Sequence, residues 1–107
     1  VTIYPFSEIR NSIIMEGTTI GSNSFISDSV IGKGNKISSH FSIAVGDAII
    51  EIEGEFHKIG RIGAFIGGDC IIGANVVIEA GKIIGKNCII APQKIINRNL
   101  PSKSMVI

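Results

Sequence analysis

A six-residue period constrains this chain more than any other feature. From Ile66 onward, isoleucine returns at positions 66, 72, 78, 84, 90 and 96, and Gly67, Gly73, Gly85 and Ala91 directly follow four of them. A small or short residue stands four places after three of them, at Cys70, Val76 and Cys88. A helix repeats near 3.6 residues and a half-buried strand near 2, so neither alone explains a period of six. A triangular coil does. Each hexapeptide supplies a short strand and a tight corner, and three hexapeptides close one turn. The Ile and the small residue point into the prism. Gly or Asn at the corners adopts backbone angles that other residues avoid. Stacked turns form parallel strands about 4.8 Å apart. The fold class expected is therefore all-β, a parallel β-helix of about five to six coils.

The repeat runs through both halves of the chain. Segment 66–83 aligns with 84–101 at a step of eighteen, and "IGGDCII" and "IGKNCII" share five residues. Ile9, Ile14, Ile20 and Ile26 step by five, six and six, and Ile26, Ile31, Ile37 and Ile43 repeat those steps. "IRNSIIMEGTTI" and "ISDSVIGKGNKI" thus read as successive turns of seventeen. A third copy is expected to open at Val45, where "VGDAII" echoes "IRNSII".

Composition agrees with many small, similar layers. Of 107 residues, 25 are Ile and 13 are Gly, while aromatics make up 6% and Trp is absent. That is too apolar for disorder and too poor in aromatics for an ordinary compact core. The length is that of one domain, residues 1–107. A net charge of +1 marks neither a nucleic-acid binder nor an anionic-membrane binder. No apolar run approaches the ~18 residues that would span a bilayer. The start, Val1 to Arg10, lacks the basic flank and apolar stretch of a signal peptide. Two cysteines make no disulfide framework. The compartment expected is the cytoplasm.

A thin coil also leaves apolar residues outside. Ile13, Ile49, Ile71, Val77, Ile83, Ile89 and Ile95 sit just before or near an inward Ile and should point outward. Such a stripe is usually an interface. The expected assembly is a homotrimer of parallel prisms about a threefold axis.

Regular coils are scaffold, so function is sought where the rule fails. The excursion expected covers about 38–62, in two connected parts. In "SSHFSIA" (38–44) two extra residues are expected before the next copy, and in "EIEGEFHKIGRIGAF" (51–65) the six-step is lost until Ile66. His40, His57, Lys58 and Arg61 all lie here, beside Glu51, Glu53 and Glu55. His40 reads as a general base beside a subunit cleft, able to take the proton of an attacking amine or hydroxyl. The competing reading is a surface histidine in a corner. His57 fits the surface reading better. Lys58 and Arg61 read either as phosphate ligands or as a solvated loop face. Cys70 and Cys88 share one repeat position and should stack as small buried hydrophobes. No metal-ligand quartet, catalytic Cys–His pair or phosphate-cradling Gly-rich loop is present in the sequence.

Several landmarks occur in order: "IGKGNKI", a His, "VGDAII", a polar excursion, "GAFIGGDCIIGANVVIEAGKIIGKNCIIAP" and "NRNLPSKS". Over essentially the whole chain this resembles the C-terminal left-handed β-helix domain of sugar-1-phosphate nucleotidylyltransferases. The most similar group is the bifunctional kind that makes UDP-N-acetylglucosamine or dTDP-glucose. The resemblance implies a left-handed coil, although parallel crossovers are otherwise right-handed. It implies acetyl transfer from acetyl-CoA, as cosubstrate, to the amine of an amino-sugar phosphate at a subunit interface, with no metal required. His40 matches the base, Lys58 and Arg61 are the plausible phosphate ligands, and Ala74 and Ala91 fall where the CoA arm would pass. Departures are clear. Ile43 replaces the family's Tyr, and the Asn-rich loop that helps hold sugar phosphate and CoA is missing. No nucleotidyl-transfer signature of the type G-x-G-T-R occurs, so that chemistry would need a segment outside this sequence. Two functional expectations therefore stand: an acetyltransferase, or a non-catalytic trimerisation or regulatory module partnered with a separate nucleotidyl transferase.

Overall fold

A computed structural model describes the backbone of residues 1–107 and all side chains except those of 47–52, 58 and 59. The chain winds through five coils and begins a sixth. The first coil contains β1 (Thr2–Ile3), β2 (Glu8–Arg10) and β3 (Ile13–Ile14). The second contains β4 (Thr19–Ile20), β5 (Phe25–Ser27) and β6 (Val30–Ile31). The third begins with β7 (Lys36–Ile37) and β8 (Ser42–Ile43), is interrupted by β9 (Gly46–Ile52) and β10 (Glu55–Ile62), and resumes with β11 (Phe65–Ile66). The fourth contains β12 (Ile71–Ile72), β13 (Val77–Ile78) and β14 (Ile83–Ile84). Then come β15 (Ile89–Ile90), β16 (Ile95–Ile96) and β17 (Met105–Val106).

These strands form three parallel sheets, the faces of a prism. Face A is β1-β4-β7-β12-β15-β17, face B is β2-β5-β8-β13-β16, and face C is β3-β6-β11-β14. The architecture is the left-handed type of parallel β-helix, as expected. Register follows the sequence period. Ile20 pairs with Ile37 and Ile9 with Ile26, each seventeen apart, while Ile72 pairs with Ile90 and Ile78 with Ile96, each eighteen apart. The last corner is tighter, because Ile84 bridges to Leu100, a step of sixteen.

The inward isoleucines form the core. Ile66, Ile72, Ile78, Ile84, Ile90 and Ile96 are all buried, together with Ile20, Ile26, Ile31, Ile37 and Ile43. Each such side chain stabilises the fold by about 1.5–3 kcal/mol relative to exposure. Cys70, Val76 and Cys88 are fully buried at the inner corners, as the repeat requires, and both cysteines are free thiols. Burial pushes the Cys70 thiol pKa up. One corner ladder is polar. Fully buried Asn35 donates from Nδ2 to Gly32 O (3.0 Å) and Gly67 O (2.9 Å), and its Oδ1 accepts from Cys70 N (2.8 Å). Gly67 is required there, since a Cβ on it would lie 2.9 Å from the Gly85 carbonyl carbon of the next coil.

The structure corrects the expected excursion in two ways. Residues 38–44 are not a break: Ile37 and Ile43 are six apart, both buried, and Phe41 fills the inner corner at 0% exposure. A large aromatic in the small-residue slot disguised a regular coil. Nor does a third copy open at Val45. Gly46–Ile52 pairs antiparallel with Glu55–Ile62, so the insertion is a β-hairpin, and the coil resumes at Phe65–Ile66, which pairs with Val30–Ile31. Strand alternation in "DAIIEIEGEFHKI" suits a hairpin as well as it suits a hexapeptide. The turn is Glu53-Gly54, both at positive φ (51° and 80°), as a type I′ turn demands.

The outward residues are also redistributed. Ile71 and Ile89 lie on face A, Val77 and Ile95 on face B, and Ile13 and Ile83 on face C. Among the described residues, face C alone carries apolar outward residues in four successive coils, at Ile13, Val30, Phe65 and Ile83. Ile49 lies outside the described side chains.

Candidate functional site

Three edges run along the prism, one at each corner, and the candidate residues divide between two of them. The edge between faces A and B carries His40. Its backbone sits in the left-handed region, φ 59°, and its N–H donates to Ser22 O at 2.9 Å. Asn23 (φ 58°) and Asn75 (φ 58°) hold the same place in the coils before and after, with equivalent bonds to Pro5 O and Ser39 O. Asn tolerates this conformation because its short polar side chain offsets the steric cost. His40 therefore occupies a regular corner position, and its side chain is exposed. Among the described residues no carboxylate forms an ion pair with it.

Ala74 and Ala91 lie on the same edge, one and two coils further along. They are not equivalent. Gln93 N donates to Ala74 O at 2.8 Å, which puts Ala74 in the slot that Pro92 fills in the next coil. Ala91 corresponds instead to Gly73, where a Cβ would come within 2.6 Å of Pro92 N. Close stacking of coils accounts for the small residue at that second slot.

The edge between faces B and C carries the hairpin. The β9–β10 register shifts between Ile59 and Ile62, and Arg61 at this bulge takes φ 52°. Bulges re-aim side chains. Arg61 Nε lies 3.6 Å from Asp28 Oδ2, and the Arg61 side chain as a whole is 71% exposed. Asp28 is held in turn: Ser27 Oγ donates to Oδ2 and Asn11 Nδ2 to Oδ1, both at 2.6 Å. These hydrogen bonds, from Ser27 first and Asn11 second, with smaller contributions from Arg61 and Arg10, hold the Asp28 pKa below the ordinary carboxylate value. A groove of about 520 Å³ opens here, lined by Asn11, Ser12, Asp28, Ser29 and Arg61 with Ile13 and Val30. With Nε turned to Asp28, the terminal nitrogens of Arg61 remain to meet an anion.

The structure therefore brings His40, Ala74 and Ala91 to one edge and Arg61 to another. Lys58 shares the hairpin strand with Arg61, but its side chain lies outside those described. His57 Nε2 lies 3.7 Å from Glu55 Oε2, both side chains substantially exposed, which is an ordinary surface pair. Asn11 and Asp28 went unnoticed in the sequence, although their spacing of seventeen, one full turn, was the available signal. Among the described residues no group of three or more His, Cys, Asp or Glu side chains could hold a metal ion.

A prism of hexapeptide coils with a hairpin at one corner defines the class: a hexapeptide-repeat parallel β-helix. The family model of the GMPPB C-terminal domain matches residues 1–106, and the chain belongs to that family. No curated protein matches it. Solved structures share the fold. Serine acetyltransferase from Neisseria gonorrhoeae, in complex with serine, is 22% identical with a TM-score of 0.59, over 98% of this chain and 38% of that one. Serine acetyltransferase isoform 3 from Entamoeba histolytica, in complex with cysteine, is 19% identical with a TM-score of 0.58, over 99% and 34%. The N-acyltransferase AntD from Bacillus cereus, in complex with dTDP and 3-hydroxybutyryl-CoA, is 15% identical with a TM-score of 0.59, over 96% and 72%. The chain thus spans little more than a third of the length of the serine acetyltransferases.

Proposed function

We propose that this chain is a binding and assembly module that works with a sugar-1-phosphate nucleotidyl transferase in the cytoplasm and does not itself transfer acetyl groups. The observation that carries this reading is the place of His40. It fills a repeating corner slot that Asn occupies on either side, and among the described residues no acid forms an ion pair with it. A histidine acting as base normally hydrogen-bonds the reacting group while a third group orients its ring. Family membership supports the same reading, since the family is that of a C-terminal domain. Two buried free thiols suit a reducing compartment.

In this reading Arg61, fixed by Asp28, meets the phosphate of a sugar phosphate at the hairpin base, with Lys58 as its neighbour on β10. The apolar face C, Ile13–Val30–Phe65–Ile83, packs against its copies in a homotrimer. Light scattering tests the assembly: a trimer is expected at micromolar concentration, and Ile83→Glu should dissociate it. A wild-type monomer would remove the trimer from the account.

One observation favours the alternative, an acetyl-CoA-dependent acyltransferase acting on an amino-sugar phosphate. His40, Ala74 and Ala91 share one edge, so a base and a cofactor arm would run along the same corner of the prism. The structural neighbours that bind CoA or acyl-CoA share this fold. Acetyl transfer that depends on His40 would establish that reading in place of the first.

A further inference from the structure

The third edge, between faces C and A, carries a groove unrelated to His40 and to the hairpin. Its volume is about 460 Å³, and Met15, Val30, Lys33, Gly67, Gly68 and Lys86 line much of it. Register explains its form. Because Ile31, Ile66 and Ile84 stack on one another, Lys33, Gly68 and Lys86 hold the same corner slot in three successive coils. Two lysines therefore stand two coils apart, about 9.6 Å along the axis, with no side chain between them.

The following coil shows what fits such a gap. There the same slot belongs to Ser102, and its Oγ accepts a hydrogen bond from Lys86 N at 3.1 Å. Two coils up, the equivalent N–H is that of Lys33, and the equivalent slot is the bare Gly68. Among the described residues no acceptor takes the Lys33 N–H. An oxygen bound over Gly68 would take the place that Ser102 Oγ takes over Lys86 N, in the slot between the coils of Lys33 and Lys86.

Two carboxylates lie nearby. Asp69 also borders the groove, but its Oδ1 lies over Gly34, where a Cβ would meet it at 2.5 Å. Glu16 Oε1 is 3.3 Å from Lys33 Nζ, and both side chains are mostly exposed. An exposed pair of this kind is weak and exchanges readily for a better anion. The remaining wall is apolar, with Met15 39% exposed beside Val30.

We infer that this groove binds a diphosphate group, with Lys33 and Lys86 on its two phosphoryl units and its organic portion along Met15. A nucleoside diphosphate and coenzyme A share that chemistry. Its lysines are separate from the charged groups of the Arg61 groove and from His40.

Calorimetric titration of the chain with inorganic pyrophosphate, at low and at physiological salt, tests this directly. Saturable binding that weakens with salt is expected. Lys33→Gln with Lys86→Gln should weaken it roughly tenfold or more, since both charge-assisted contacts are lost. Gly68→Ser, which fills the gap, should weaken it too, and Glu16→Gln should tighten it. Arg61→Gln should leave it unchanged. Thermal unfolding of each variant confirms that it is folded. Parallel titrations with ADP and with coenzyme A separate the two sources: the one that binds more tightly than pyrophosphate identifies the organic portion. Absence of saturable pyrophosphate binding, binding unaffected by the double lysine change, or loss on Arg61→Gln would each overturn the assignment.

Discussion

Replacing Asn35 by Ala removes a buried side chain that ties its own coil to the next from inside the prism. Asn35 has no exposed surface. Its Nδ2 reaches Gly32 O at 3.0 Å and Gly67 O at 2.9 Å, and its Oδ1 accepts from Cys70 N at 2.8 Å. The two carbonyls do not suffer equally with the amide. Gly32 O keeps the hydrogen bond from Thr18 Oγ1 at 2.8 Å, and Gly67 O keeps only a long contact from Cys70 Sγ at 4.0 Å. The Cys70 N–H loses its partner inside the prism. Two lost bonds of about 1 kcal/mol each, plus an orphaned buried donor at about 2 kcal/mol, give a destabilisation of about 4 kcal/mol. Urea unfolding followed by far-UV circular dichroism measures this by linear extrapolation, at one fixed protein concentration because assembly would add to apparent stability. A loss below about 1 kcal/mol would refute the reasoning, since it would mean that these groups are satisfied without Asn35.

Three further outcomes follow from the same geometry. Asp28 has a folded-state pKa below its unfolded value, so its contribution to stability is complete above about pH 3.9 and is lost as pH falls through the folded value. Amide exchange at the hairpin base should therefore quicken, relative to the coils, on acidification below that range; an identical pH profile in Asp28→Asn would contradict this. Cys70 and Cys88 should resist alkylation in the folded chain and react only on unfolding, as mass spectrometry would show, because both are buried and burial raises the Cys70 pKa. Gly67→Ala should cost about 1–3 kcal/mol in urea unfolding, because its Cβ would collide with the backbone of the next coil; a neutral result would mean that the coils are further apart than described.

Most of the prism was legible in the sequence because one physical requirement recurs at every coil. An inward Ile must stack on an inward Ile, and that alone places eleven residues from Ile20 to Ile96 in the core. Where the rule was bent, the reading failed for identifiable reasons. Phe41 is too large for its slot by the pattern, yet it is buried there, so a regular coil looked broken. The segment from Val45 to Ile50 reads equally as the opening of another coil, and only the antiparallel pairing of Gly46–Ile52 with Glu55–Ile62 makes it one arm of a hairpin. The candidate site was legible only in part. His40, Arg61, Ala74 and Ala91 could be named from the sequence, but which corner each occupies depends on counting coils correctly across that hairpin. Asp28 was hidden because nothing local distinguishes an aspartate that holds an arginine thirty-three positions later.

The most direct test of the functional account is an acetyl-transfer assay. Release of free coenzyme A from acetyl-CoA would be followed with amino-sugar phosphates as acceptors, comparing the wild-type chain with His40→Asn, which suits the corner as Asn23 and Asn75 do. Both proteins should be equally stable and should release coenzyme A only at the background rate. Release above background that disappears in His40→Asn would contradict the account and make His40 the base of an acyltransferase.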